Sequence, residues 1–142
     1  MEKIMTKVMV FGTFDGLHEG HLDFFRQAKK YGDYLVVAVA RDVNVKKIKN
    51  KLPVNNENER LNIVKQCSLV DEARLGYEND PYKIIQEVNP DVICIGYDQN
   101  SFNKNLEARL KELGLDIKIY TLKAYRPEQF KSSIVNNLKN GK

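Results

Sequence analysis

Leu35-Val36-Val37-Ala38-Val39 is a run of five apolar residues with no polar alternation. A strand with one wet face alternates apolar and polar side chains, so an unbroken run is a strand covered on both faces. Both faces of a sheet are covered when helices cross over between parallel strands. The rest of the chain supplies that pattern. Strand-like runs are predicted at Val8–Phe11, Tyr34–Ala40, Asp71–Leu75, Asp91–Ile95 and Asp116–Tyr120. Helical patterns fall between them at Gly20–Tyr31, Glu57–Gln66, Pro81–Val88 and Asn105–Leu113. Pro81 suits a first helical turn and Gly114 a helix C-cap. The expectation is an α/β fold, a doubly wound parallel sheet of about five strands with helices on both faces. Ligands of such sheets bind beyond the carboxyl ends of the strands, where the strand order reverses.

The 142 residues are expected to form a single domain, 1–142, with a core of ordinary size. A charged content of 30% is ordinary for a water-soluble protein. The net charge of +4 suits an anionic small ligand as well as nucleic acid and decides between neither. Met1 to Thr6 is too short and mixed for a secretory signal, and the longest apolar runs are only strand-length. The two cysteines, Cys67 and Cys94, lie in a helical and a strand pattern. They read as buried free thiols in a reducing cytoplasm, which is the expected location.

The chemistry concentrates at Phe11-Gly12-Thr13-Phe14-Asp15-Gly16-Leu17-His18-Glu19-Gly20-His21, where the first strand passes into the first helix. The first turn of a helix carries unpaired N–H groups and the positive end of the helix dipole, so it favours anions. Gly12 and Gly20 allow close backbone approach to a ligand. His18 and His21 fall on one helical face, can donate to phosphate oxygens, and are the chain's 2 histidines.

Three more groups follow later strands. The segment Arg41 to Lys51 holds four lysines in six residues, Lys46, Lys47, Lys49 and Lys51. It is expected to be a mobile basic loop, either simply solvated or a lid that screens phosphate charge. Arg60, early in the next helix, could reach the same anion or form a surface ion pair. Gly96-Tyr97-Asp98-Gln99 follows the fourth strand; Asp98 could accept from a ribose hydroxyl or a base, help to hold a metal, or simply make a turn. Tyr125-Arg126 and, after Lys131, Ser132-Ser133 precede a final short helix. The serines could cap that helix while presenting hydroxyls and N–H groups to phosphate, and Tyr125 could stack on a base.

The string Gly-Thr-Phe-Asp-x-x-His-x-Gly-His resembles the motif of the HxGH nucleotidyltransferases, the cytidylyltransferase-like family. That resemblance implies a Rossmann-like fold and transfer of a nucleotide from a nucleoside triphosphate to a phosphorylated acceptor. It implies His18, His21, Lys46 and Lys47 as catalytic residues. It implies Thr13, Phe14, Glu19, Gly20, Asp98, Tyr125, Arg126, Ser132 and Ser133 as nucleotide-binding residues, with both histidines among them. Within the family, glycerol-3-phosphate and choline-phosphate cytidylyltransferases carry Gly-Asp-Asp and a tryptophan soon afterwards. Here the stretch reads Gly96-Tyr97-Asp98-Gln99-Asn100-Ser101-Phe102, and the chain has 0 tryptophans. This is more similar to the archaeal-type FAD synthases, as are Ala40-Arg41-Asp42-x-x-Val45-Lys46-Lys47 and the Ser132-Ser133 pair. The cysteines that this subgroup carries shortly before the serines are missing. The resemblance therefore implies ATP and FMN as substrates, a divalent cation such as Mg²⁺ as cofactor, a homodimer, and no nucleic-acid or membrane partner. Glycerol-3-phosphate cytidylyltransferase is the alternative within the family, and a non-catalytic nucleotide-binding module the alternative outside it.

Overall fold

A computed structural model describes residues 5–78, 80, 82–96 and 100–123. Five strands form one parallel sheet in the order β3-β2-β1-β4-β5. They are β1 (Lys7–Gly12), β2 (Tyr34–Val39), β3 (Glu72–Leu75), β4 (Val92–Ile95) and β5 (Lys118–Thr121). The helices are α1 (Glu19–Lys29), α2 (Asp42–Lys49), α3 (Glu57–Lys65), α4 (Lys83–Val88) and α5 (Asn100–Leu113). The sheet grows outward from β1 in both directions, so the order reverses between β1 and β4. That is the crevice at which doubly wound sheets take their ligands.

The unbroken apolar run works as its pattern demands. Val36 and Ala38 pack on one face with Met9, Ile93, Ile95 and the buried residues of α4 and α5. Leu35, Val37 and Val39 pack on the other with Val8, Val10, Phe25, Ala28 and Val64 of α1 and α3. Alternate side chains of one strand thus enter two cores, which removes any gain from polar alternation. At the opposite end of the sheet, three aspartates repeat one role. Asp33, Asp71 and Asp91 each precede a strand and accept a backbone N–H from the neighbouring strand or its lead-in, those of Thr6, Leu35 and Lys7 respectively.

The expected strands are all present, within three residues at either end. Gly114 takes φ +70 after α5, and Leu115 N–H reaches back to the Leu110 carbonyl, so the expected glycine C-cap forms. Pro81 lies outside the described residues. Helix α5 begins at Asn100, five residues before the expected Asn105.

The larger correction concerns the basic segment, since residues 42–49 are helix α2 rather than a mobile loop. Its sequence hides this, because the short helix buries Val45 with little other apolar pattern. Tertiary contacts replace the missing local signals. Glu57 accepts the Asp42 N–H (2.9 Å), and Asp42 returns the favour to the Glu57 N–H (3.2 Å), so α2 and α3 brace each other's first turns. Asn50 ends α2 in the left-handed region at φ 60, and Lys46, Lys47 and Lys49 lie in its last turn, where cations favour the dipole.

Candidate active site

The turn after β1 is built around a buried ring. Phe14 adopts φ 54, a left-handed conformation that is strained for an aromatic residue. Its ring is buried, lies edge-on to His21 at 5.4 Å and packs on Phe25 at 5.4 Å. Gly12 is needed for this ring: a Cβ there would stand 2.6 Å from Phe14 Cζ. Its missing side chain therefore accommodates Phe14, where the sequence had suggested room for a ligand.

His18 is the N-cap of α1 and His21 its third residue. His18 Nδ1 accepts the Gly20 N–H at 3.0 Å, and His21 Nδ1 accepts the His18 N–H at 3.3 Å. The histidines thus form a reciprocal capping box with imidazoles in place of the usual hydroxyl and carboxylate. A neutral imidazole that accepts at Nδ1 carries its proton on Nε2. Both rings therefore turn an Nε2–H donor away from the backbone, and they lie nearly stacked with centroids 3.9 Å apart. Two cations at that spacing repel. Burial first, and the charge of His18 second, push His21 down from 6.5 to about 4. Between those two values the unfolded chain takes up a proton that the folded site refuses, so folding stability declines as pH falls through that window. In ¹⁵N NMR of the free protein, His21 should stay neutral at pH 6, with Nδ1 unprotonated and Nε2 protonated. Protonation of His21 near pH 6.5 would contradict this arrangement.

Asp15 does different work from its neighbours. Its carboxylate accepts the Val54 N–H (2.7 Å), the Asn55 N–H (2.9 Å) and Asn55 Nδ2 (2.9 Å). The Asn55 and Val54 backbone donors hold it below the usual carboxylate range. It pins the chain that follows α2 onto the histidine-bearing turn. Lys46 and Lys47 are exposed on α2, and neither meets a carboxylate among the described residues.

Arg60 overturns both expectations made for it. It is fully buried, and its guanidinium serves the protein's own groups. Nη1 donates to the Thr13 carbonyl (2.8 Å), Nη2 to Asp42 (2.7 Å) and Nε to the Asn55 carbonyl (3.1 Å). Neither a surface ion pair nor a free anion-binding arm remains. Asp15, Asp42 and Glu57 carry no local sign of their roles, which depend on residues 15 to 40 positions away.

Thr13, Phe14, His18, Glu19, Gly20 and His21 are thus brought together at the carboxyl end of β1, with Glu19 exposed in the first turn of α1. Asp98, Tyr125, Arg126, Ser132 and Ser133 lie outside the described residues. The described chain reaches Gly96 and Lys123, two positions before Asp98 and Tyr125 in the sequence. Gly96 follows β4 at the crevice, and Gln27 of α1 holds Lys123 by both its N–H and its carbonyl, at 3.0 Å each. A shallow concavity lined by Glu107, Leu110, Lys111, Ile117 and Ile119 includes none of the motif residues. Cys94 is buried and pushed up to about 12 by that burial, while Cys67 is only half-buried; both are free thiols. Among the described residues no three His, Cys, Asp or Glu side chains converge to hold a metal ion, and no helix is long and apolar enough to cross a membrane.

Residues 9–137 match the model of the family described as cytidylyltransferase-like. An FAD synthase of Aciduliprofundum boonei is 45% identical over 121 residues, covering 85% of this chain and 80% of that protein. An FAD synthase of Thermoplasma volcanium is 40% identical over 131 residues, 92% of each chain. Among solved structures, one described as a lipopolysaccharide core biosynthesis protein from Thermoplasma volcanium superposes with a TM-score of 0.80 at 41% identity, covering 86% of this chain and 99% of that one. A pantoate-beta-alanine ligase from Francisella tularensis shares the fold alone, with a TM-score of 0.64 at 16% identity over 89% of this chain and 62% of that one.

Proposed function

The chain belongs to the cytidylyltransferase-like family, and on that premise we propose that it is an FAD synthase, a nucleotidyltransferase that moves AMP from ATP to FMN. The observation that carries this reading is the agreement of independent archaeal relatives. FAD synthases from Aciduliprofundum, two Thermoplasma species and Archaeoglobus are 40–45% identical over most of the chain. The same reading takes residues 1–142 as one catalytic domain and expects a homodimer.

In the proposed reaction an FMN phosphate oxygen attacks the α-phosphorus of ATP. The new P–O bond forms as the bond to the β-phosphate's bridging oxygen breaks, and pyrophosphate leaves. Such a transfer depends on alignment and charge neutralisation rather than on a covalent protein intermediate. The Nε2–H groups of His18 and His21 donate to the α- and β-phosphates, where charge grows in the transition state. The neutral state of His21 suits this task, since a neutral imidazole is a fixed donor that needs no change of protonation. Backbone N–H groups around Thr13 and Phe14 add to the cradle, with Glu19 and Gly20 at its rim. Gly20 N–H is held by His18 in the free protein. Lys46 and Lys47, carried on a helix rather than a loose loop, neutralise the departing pyrophosphate. Asp98 contacts the ribose or base, Tyr125 stacks on adenine, and Arg126, Ser132 and Ser133 close on the phosphates. A divalent cation such as Mg²⁺ would be held mainly by phosphate oxygens and would supply further charge neutralisation.

The reading is tested by measuring pyrophosphate release with ATP and CTP, each crossed with FMN and glycerol 3-phosphate. ATP with FMN is expected to give the fastest release. CTP with glycerol 3-phosphate as the preferred pair would replace the substrate assignment and leave the chemistry of the phosphates unchanged.

A further inference from the structure

Among the described residues Arg60 is the one buried charged side chain, and the proposed transfer gives it no direct part. It joins three separate segments: the turn after β1, the first turn of α2, and the chain that leads into α3. Two of these carry groups that the proposed reaction needs. We propose that Arg60, through Asp42, is a positioning residue that holds the Thr13–Phe14 peptide and the lysine helix in register for phosphate binding. This inference rests on the function proposed above.

In a planar trans peptide the carbonyl and the next N–H point in opposite directions. Arg60 Nη1 draws the Thr13 carbonyl inward at 2.8 Å, so the Phe14 N–H of the same peptide faces away from the guanidinium. A carbonyl turned towards an anion repels it, whereas an N–H attracts it, so the guanidinium selects the favourable face. The φ of 54 at Phe14 shows a conformation that the surroundings must impose, and this charge-assisted hydrogen bond is one of the constraints.

The second arm acts on α2. Asp42 opens that helix and takes Arg60 Nη2 at 2.7 Å on one oxygen and the Glu57 N–H at 3.2 Å on the other. Arg41 extends the brace by donating to Glu57 at 2.9 Å and to the Gly76 carbonyl at 2.7 Å. Lys46 lies four residues beyond Asp42, about one turn along the same helix. A shift of α2 about Asp42 would therefore carry Lys46 and Lys47 with it. The fork of a guanidinium reaches three acceptors at fixed angles; a lysine ammonium keeps the charge and loses the fork.

The test compares Arg60→Lys, Asp42→Asn and the double variant with wild type in the full chain. It reads kcat and KM for ATP, thermal unfolding, and the ¹⁵N–¹H shift of the Phe14 amide on titration with inorganic pyrophosphate alone. Arg60→Lys is expected to lower kcat at least about tenfold, as small misplacements of binding groups do, with KM for ATP changed much less. The Phe14 amide response to pyrophosphate should weaken in both single variants. The double variant should be no slower than the slower single one, because the two groups act as a unit. A folded Arg60→Lys enzyme with wild-type kcat would overturn the proposal, as would additive losses in the double variant. If Arg60→Lys does not fold, Asp42→Asn decides: wild-type kcat and an unchanged Phe14 response would overturn it. If wild type makes no FAD, the proposed function fails, and the Phe14 response to pyrophosphate still supports or overturns the role of Arg60.

Discussion

Replacement of His21 by alanine is expected to lower kcat by about 10²-fold or more, in line with the loss of a donor aimed at developing charge. His18→Ala should do the same. The expectation follows from the capping box: each Nδ1 is occupied by a backbone N–H, which leaves each Nε2–H as the group available to phosphate. Alanine at position 18 also removes an N-cap, which costs about 1 kcal/mol. His18→Asn separates the two effects. Asparagine caps a helix well but places no donor where Nε2–H stood, so stability should return towards wild type while kcat stays low. Recovery of kcat in His18→Asn would mean that the histidines serve the helix and not the reaction.

The second large effect is expected at the lysines. Lys46→Ala/Lys47→Ala together should cut turnover by about tenfold to 10²-fold, with a much smaller loss of ATP affinity in the ground state. Negative charge gathers on pyrophosphate as it leaves, so cations placed there act most strongly in the transition state. Both lysines are exposed and free of carboxylate partners among the described residues, so their removal should leave thermal stability within about 0.5 kcal/mol of wild type. Single-turnover rates equal to wild type would show α2 to be a solvated helix with no part in the transfer.

The fold was legible because its main determinant is local. Leu35 to Val39 announces burial on both faces, and the helical stretches between strands then require parallel crossovers. The histidine motif was legible for a similar reason: its N-cap, N3 residue and glycines lie within ten residues of one another. Two readings went astray where long-range contacts decide. Helix α2 lacks a side-chain N-cap and shows lysines where an apolar stripe would reveal a helix; Glu57, fifteen residues on, supplies its cap. Arg60 looks like any surface arginine in a helix opening, and only the convergence of Thr13, Asp42 and Asn55 explains why it is buried. Gly12 shows the same limit on a smaller scale. Its permissiveness was evident, but the object it makes room for, the Phe14 ring two residues later, is set by how the turn folds back on β1.

The central claim is that this cradle joins AMP to FMN, and product analysis tests it most directly. The purified chain, supplied with FMN, ATP and Mg²⁺, is expected to form FAD resolved by chromatography, with pyrophosphate in equal amount. With glycerol 3-phosphate and CTP under the same conditions, little CDP-glycerol should appear. Ready formation of CDP-glycerol with no FAD would contradict the claim.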